Sequence, residues 1–180
     1  MQFGSLDFLP VREHLDLVAD TVRAAIERSA EEILAAPIDP AVADTAAFCE
    51  RYGLRMEDGA NCVIVEGRRA DVVRHAVCLV LATDKVDVNA TIRRLLDVKK
   101  VSFAGRDSAT ALTGMEFGGI TPIGVPTYWP LFVDEAVAAS GPLVVGSGLR
   151  RSKLLVRGEV LGGLPNARVL PIVKRGAPAA

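Results

Sequence analysis

Residues 114–126 carry the pattern most able to do chemistry. Thr113 is followed by Gly114, Met115, Glu116, Phe117, Gly118, Gly119, Ile120, Thr121, Pro122, Ile123, Gly124, Val125 and Pro126. Four glycines and two prolines in thirteen residues suit neither a helix nor a central strand. Gly118 and Gly119 open dihedral angles closed to other residues and expose bare backbone N–H groups, while Pro122 and Pro126 stiffen the chain. Such a loop can hold donors against a carbonyl or a phosphate; a plain two-turn connection between strands has the same composition.

Other reactive side chains are sparse. His14 and His75 are far apart, which gives a histidine triad or histidine metal site little to stand on. Ser147 lies between Gly146 and Gly148 without the G-x-S-x-G pattern, so it reads as a hydrogen-bonding loop serine. Asp134 follows a predicted strand and either anchors a ligand amine or caps the next turn. Lys99 and Lys100 read as solvated strand-edge charge. Arg150, Arg151, Lys153 and Arg157 form a basic cluster that could meet RNA phosphates. No dinucleotide fingerprint or P-loop is present.

Composition narrows the class. The 180 residues suit one domain, and with half of them hydrophobic the chain can build a core. Aromatics make up only 5%, so that core must be aliphatic. A net charge of −1 excludes a strongly basic nucleic-acid coat. Cys49, Cys62 and Cys78 form no close pair and read as reduced, buried thiols, which points to the cytoplasm. The longest apolar run, residues 76–82, is far too short for a membrane span, and the N-terminus lacks the order of a signal peptide.

The elements that must position these residues follow from periodicity. Residues 1–11 read as a loose lead-in. Leu15, Val18, Val22, Ile26, Ile33 and Leu34 predict a helix over 12–36, stopped by Pro37. Asp39 caps a second helix over 40–52, ended by Gly53. Strands are expected at 61–66 and 72–82, with 67–69 as the turn and the second strand central. Asn89 caps a short helix carrying Ile92, Leu95 and Leu96. A strand at 99–104 and a helical turn at 108–113 precede the glycine-proline loop. Strands at 129–133, 143–145, 152–156 and 168–173 follow, with helical turns at 134–140 and 158–164, and a frayed tail at 175–180. The order is too irregular for a doubly wound parallel sheet. A mixed, mostly antiparallel, barrel-like sheet surrounded by helices fits better.

Three segments taken together are more specific than any one. Asn61-Cys62-Val63-Ile64-Val65, then Lys99-Lys100-Val101-Ser102-Phe103-Ala104, then Thr113-Gly114 leading to Gly118-Gly119-Ile120-Thr121-Pro122-Ile123-Gly124 resemble the YbaK/EbsC family in order. These proteins are free-standing relatives of the editing domain of bacterial prolyl-tRNA synthetase. The resemblance covers residues 30–174, with 1–29 as a helical extension. It implies an aminoacyl-tRNA deacylase: an ester hydrolase that removes a wrong amino acid from the tRNA 3′ end in trans, without metal or organic cofactor. It also implies a partnership with an aminoacyl-tRNA synthetase. Gly118 and Gly119 would then donate to the ester, with Asn61 beside them. Ile120, Pro122, Asp134, Gly146 and Ser147 would shape the substrate site.

The chain departs from the family at one point. The family carries a lysine at the start of the strand after the second helix, in a Lys-Thr-Leu-Val-like sequence, and this chain has Asn61 there. Asparagine offers hydrogen bonds but no charge. Lys85, Lys99 or Lys100 could supply that charge. The rival to an enzyme is a module that binds aminoacyl-tRNA, or a small aminoacyl compound, without cleaving it. A third reading is a structural partner-binding domain, with a closed apolar space beneath Gly118 and Gly119.

Overall fold

The computed structural model describes residues 1–174. The tail predicted to fray, 175–180, lies outside the described residues. In chain order the strands are β1 (Gln2–Phe3), β2 (Leu6–Asp7), β3 (Leu9–Pro10), β4 (Leu34–Pro37), β5 (Ala60–Arg69), β6 (Val72–Leu81), β7 (Lys100–Phe103), β8 (Leu131–Asp134), β9 (Pro142–Gly146), β10 (Ser152–Arg157) and β11 (Ala167–Leu170). The helices are α1 (Asp20–Glu27), α2 (Thr45–Tyr52), α3 (Arg93–Leu95), α4 (Arg106–Thr113), α5 (Glu135–Ala138) and α6 (Gly158–Gly162).

Two sheets carry the fold. A five-stranded sheet runs β11-β8-β6-β5-β7, and a four-stranded antiparallel sheet runs β3-β4-β10-β9. Strand β6 is central, as its apolar run predicts, and β8 lies parallel to both β6 and β11. The sheets meet where β5 begins, with Gly59 bridged to Val144 of β9. They do not close into a barrel, which corrects the barrel-like expectation. The reason lies in lengths: β7 pairs only with Val65 to Arg68, so the first residues of β5 have no strand on that edge. That edge is where a cavity opens.

Burial explains the placement. Val22 and Ile26 of α1 pack on Leu79, Leu131, Leu143 and Leu154 between the sheets. Phe8, Phe48, Val144 and Leu155 fill a second cluster beneath α2. Ile92, Leu96, Val65 and Phe132 fill a third on the far face of the larger sheet. Among the described residues, no helix is long and apolar enough to cross a membrane.

Several local expectations change. The helix predicted over 12–36 is two 3-10 turns, then α1, then β4. The helical period ends at Ile26, and Leu34 to Pro37 pair instead with β10, so sheet pairing overrides an alanine-rich helical propensity. The lead-in is not loose: Leu6, Phe8 and Val11 are buried, and β3 pairs with β4. The turn assigned to 67–69 falls later, since those residues are still in β5 and Ala70 takes the left-handed conformation. The short helix near 89 is capped by Asp87, whose carboxylate accepts from the Thr91 amide and hydroxyl, rather than by Asn89. It begins as a π-helical turn, Val88–Ile92, that leads into α3.

Candidate active site

A cavity of about 510 Å3 lies between the free edge at the start of β5, the N-terminal end of α2, the adjoining β9 and β10, and the glycine-proline loop. That volume is within the range of small-molecule sites. Its mouth is flanked by Phe103 and Phe117, both among the exposed apolar side chains. The structural-scaffold reading requires a closed apolar space here; the cavity is instead open and carries polar groups from four elements.

Asn61 stands on the β5 wall. The Thr45 hydroxyl, at the first turn of α2, donates to its Oδ1 at 2.8 Å. That bond fixes the amide plane and leaves the side-chain NH2 as the end that meets the cavity. Burial pushes the neighbouring Cys62 thiol well up, and burial followed by Asp58 raises Cys49. Neither of these cavity cysteines, Cys62 on β5 and Cys49 on α2, is therefore a thiolate nucleophile near neutral pH.

The loop is built as a platform. Gly114 ends α4 in the left-handed conformation, at φ 67°. The Glu116 amide donates to Gly148 O at 2.8 Å, and the Gly148 amide donates to Gly119 O at 2.7 Å. These bonds lay the loop on the Gly-Ser-Gly segment after β9. Contact is too close for side chains: a Cβ on Gly146 would lie 2.3 Å from Gly119 O, and one on Gly119 would lie 2.6 Å from Leu149 O. The Gly119 amide is consumed by Glu116 O, at 2.9 Å, and the Thr121 amide faces Met115 Sδ. Among the described residues, the amides of Gly118 and Ile120 make no hydrogen bond within the chain. Both residues line the cavity.

Arg150 holds the mouth together. Its guanidinium donates to Phe117 O and to Pro40 O, both at 3.1 Å, and its own amide donates to Glu116 Oε2 at 2.6 Å. The glycine loop is thereby tied to the segment that leads into α2. Gly118 sits against this guanidinium in the left-handed region, at φ 86°.

The predicted residues divide. Asn61, Gly118, Ile120 and Gly146 line the cavity together. Gly119 supports the loop from behind and does not line it. Pro122 and Ser147 are buried away from it. The Ser147 hydroxyl is engaged with Leu149 and with Ser152 Oγ at 2.8 Å. Asp134 is fully buried at the far end of β8, where it accepts from the Ala136 amide at 3.0 Å and from the Ile172 amide at 3.0 Å. Of its two sequence readings, the cap is the one the geometry shows. His75 stacks on Trp129, with ring centroids 5.0 Å apart.

Lys153 is the residue that sequence reasoning placed elsewhere. By sequence it belongs to the basic cluster with Arg150, Arg151 and Arg157, a candidate contact for RNA phosphates. In the fold it points off β10 into the cavity, only 8% exposed. Its Nζ donates to Ala43 O at 2.9 Å and lies 5.5 Å from the centroid of the Phe48 ring. Burial, and then Arg150, push its pKa down to about 8, against the opposing pull of Asp44 and Cys49. Of the lysines considered in its place, Lys85 lines a neighbouring cavity beyond Asn61, while Lys99 and Lys100 are exposed. A signal was present: a lysine opening the apolar run Leu154-Leu155-Val156 is unusual for a solvated face.

Known proteins agree with this geometry at the level of fold. A scaffold protein used for computational epitope grafting superposes with a TM-score of 0.73 at 21% identity, covering 88% of this chain and 97% of that one. The crystal structure of a hypothetical protein gives a TM-score of 0.75 at 17% identity, with 86% and 100% covered. A protein proposed to be a trans-editing enzyme for prolyl tRNA synthetase gives 0.71 at 19% identity, with 88% and 99% covered. Among curated proteins no match was found. The sequence profile of the aminoacyl-tRNA editing domain matches residues 39–162, which span every wall of the cavity. The chain belongs to the aminoacyl-tRNA editing domain family, the YbaK-type family that its glycine-proline loop resembles.

Proposed function

We propose that this protein hydrolyses, in trans, the ester that joins a wrongly attached amino acid to the 3′ end of a tRNA. The observation that carries the reading is one cavity lined by Gly118 and Ile120, whose amides make no hydrogen bond among the described residues, and by Asn61, whose Oδ1 is held by Thr45. Family membership supports the substrate class.

The chemistry follows from what these groups can do. The ester carbonyl oxygen accepts from the loop amides, which strengthen their hold as that oxygen becomes an oxyanion. Asn61, oriented by Thr45, donates to a hydroxyl of the terminal ribose. Water adds to the carbonyl carbon, and the bond between that carbon and the ribose oxygen breaks. The ribose oxygen takes up a proton, releasing the free amino acid and a tRNA with its hydroxyl restored. Losing one oxyanion donor in such a site costs about 2.7–4 kcal/mol of barrier.

A deacylation panel of mischarged tRNAs tests the reading, with Asn61→Ala and Asn61→Lys beside the parent. Amino-acid release above the uncatalysed rate is expected for at least one tRNA, with Asn61→Ala slower by about tenfold or more. No release across the whole panel would count decisively against it. The second reading, binding without cleavage, is favoured by Asn61 standing where the family carries a charge. It predicts tight binding of an uncleavable aminoacyl-adenosine analogue and no turnover of the ester.

A further inference from the structure

We infer that Lys153 is the cation of this cavity, its ammonium stabilising the carbonyl oxygen as water adds to the aminoacyl ester. The inference rests on the editing reading above and assigns the charge that Asn61 does not bring.

Three observations carry it. An ammonium has three N–H groups, and here one is spent on Ala43 O. Among the described residues the other two meet no hydrogen-bond acceptor, although the side chain is 92% removed from solvent by its 8% exposure. A buried charge so underserved is costly unless a ligand completes it. Second, the placement is right. Lys153 pairs across the sheet with Gly146, and the missing side chain of Gly146 is what admits Gly119 O and Ile120 O to that spot. Its acceptor, Ala43, is two residues before the Thr45 that orients Asn61. Lys153 therefore lines the same cavity as the amide-bearing loop and the asparagine. Third, the surroundings are apolar, with Phe48, Val144 and Cys49 around it, which strengthens its field at a developing oxyanion.

The charged groups facing it are Arg150 from the loop before β10, Asp44 from the lead-in to α2, and Cys49 from α2. Burial and Arg150 favour loss of its proton, and Asp44 opposes. The protonated form is the working one, so the catalysed rate falls as pH rises through about 8. During the reaction Lys153 keeps its proton, and the proton that reaches the ribose oxygen comes from water.

The test compares the parent protein with Lys153→Met and Lys153→Arg. Catalysed deacylation, after subtracting the uncatalysed rate, is followed from about pH 7 to about pH 9. Lys153→Met is expected to lower kcat about 100-fold with KM within about threefold. Lys153→Arg should restore part of kcat and abolish the alkaline fall, since arginine stays charged throughout. Binding gives a second readout: a phosphonate analogue with an anionic tetrahedral centre should bind the parent at least about tenfold tighter than the neutral amide analogue, and Lys153→Met should lose that preference. Turnover by Lys153→Met within about twofold of the parent, or an alkaline fall that persists in Lys153→Arg, overturns the inference and leaves the editing reading standing. If Lys153→Met does not fold, a parent profile without a fall near pH 8 overturns it. A parent protein that neither cleaves nor binds any aminoacyl compound sinks both.

Discussion

Single atoms decide how close the walls of the cavity come. Gly146→Ala would place a methyl group against two backbone oxygens, Gly119 O and Ile120 O, at 2.3 and 2.4 Å. Backbone cannot rotate aside as a side chain can, so the loop must lift. The expected cost is about 1–3 kcal/mol of stability, read by thermal melting, with deacylation lost because the Gly118 and Ile120 amides leave their place. Asp134→Ala should destabilise by about 2 kcal/mol in the same assay, since it removes the cap of α5 and strands the buried Ile172 amide. Lys153 acts the other way. Its folded pKa of about 8 lies below the ordinary 10.5, so the unfolded chain binds the extra proton between those values. Stability conferred on the parent therefore rises with pH across that window, and the cost of burying the charge is fully present below it. The span corresponds to about 3 kcal/mol. Lys153→Met should melt higher than the parent at neutral pH, and the gap should shrink as pH approaches 10.5.

At the scale of elements, the glycine loop is held by its neighbours more than by itself. Arg150→Ala removes two hydrogen bonds that tie Phe117 O to Pro40 O through one guanidinium. The expected loss is about 1 kcal/mol of global stability, because the site is partly solvated, with amide exchange faster in residues 115–119 than elsewhere. How far such elements could be read beforehand depended on where their signals lay. Gly53 and Gly114 stop α2 and α4 as predicted, because a left-handed C-cap is local chemistry. The apolar run of β6 marked a central strand correctly, since burial on both faces leaves its pattern in the chain. Residues 33–36 read as helix because the longer of their two pairings, with β10, is formed more than a hundred positions away. The glycine loop and Asn61 were visible from composition and resemblance. Lys153 was not, because Arg150, Arg151 and Arg157 nearby in the chain make it read as one of a basic cluster, whereas β10 is buried from Ser152 to Val156.

At the scale of the molecule, a net charge of −1 leaves no broad positive field to grip a tRNA body. Recognition should then depend on the acceptor end, with few phosphate contacts. Each contact makes affinity fall with salt, so two of them cost about tenfold in KM between about 50 and about 200 mM. A rise no larger than that is expected, and an aminoacylated acceptor-stem fragment should be cleaved nearly as well as the whole tRNA. The position of β10 has a further bearing on the life of the chain. It is the strand through which β4 joins β9, and it comes after every other strand of its sheet in the sequence. A nascent chain that has emerged only to residue 150 has a gap in the middle of that sheet and lacks the lysine of its pocket. On the proposed reading such a copy has neither its closed sheet nor its working cation, so deacylation is expected to begin only once β10 has left the ribosome and joined β4 to β9.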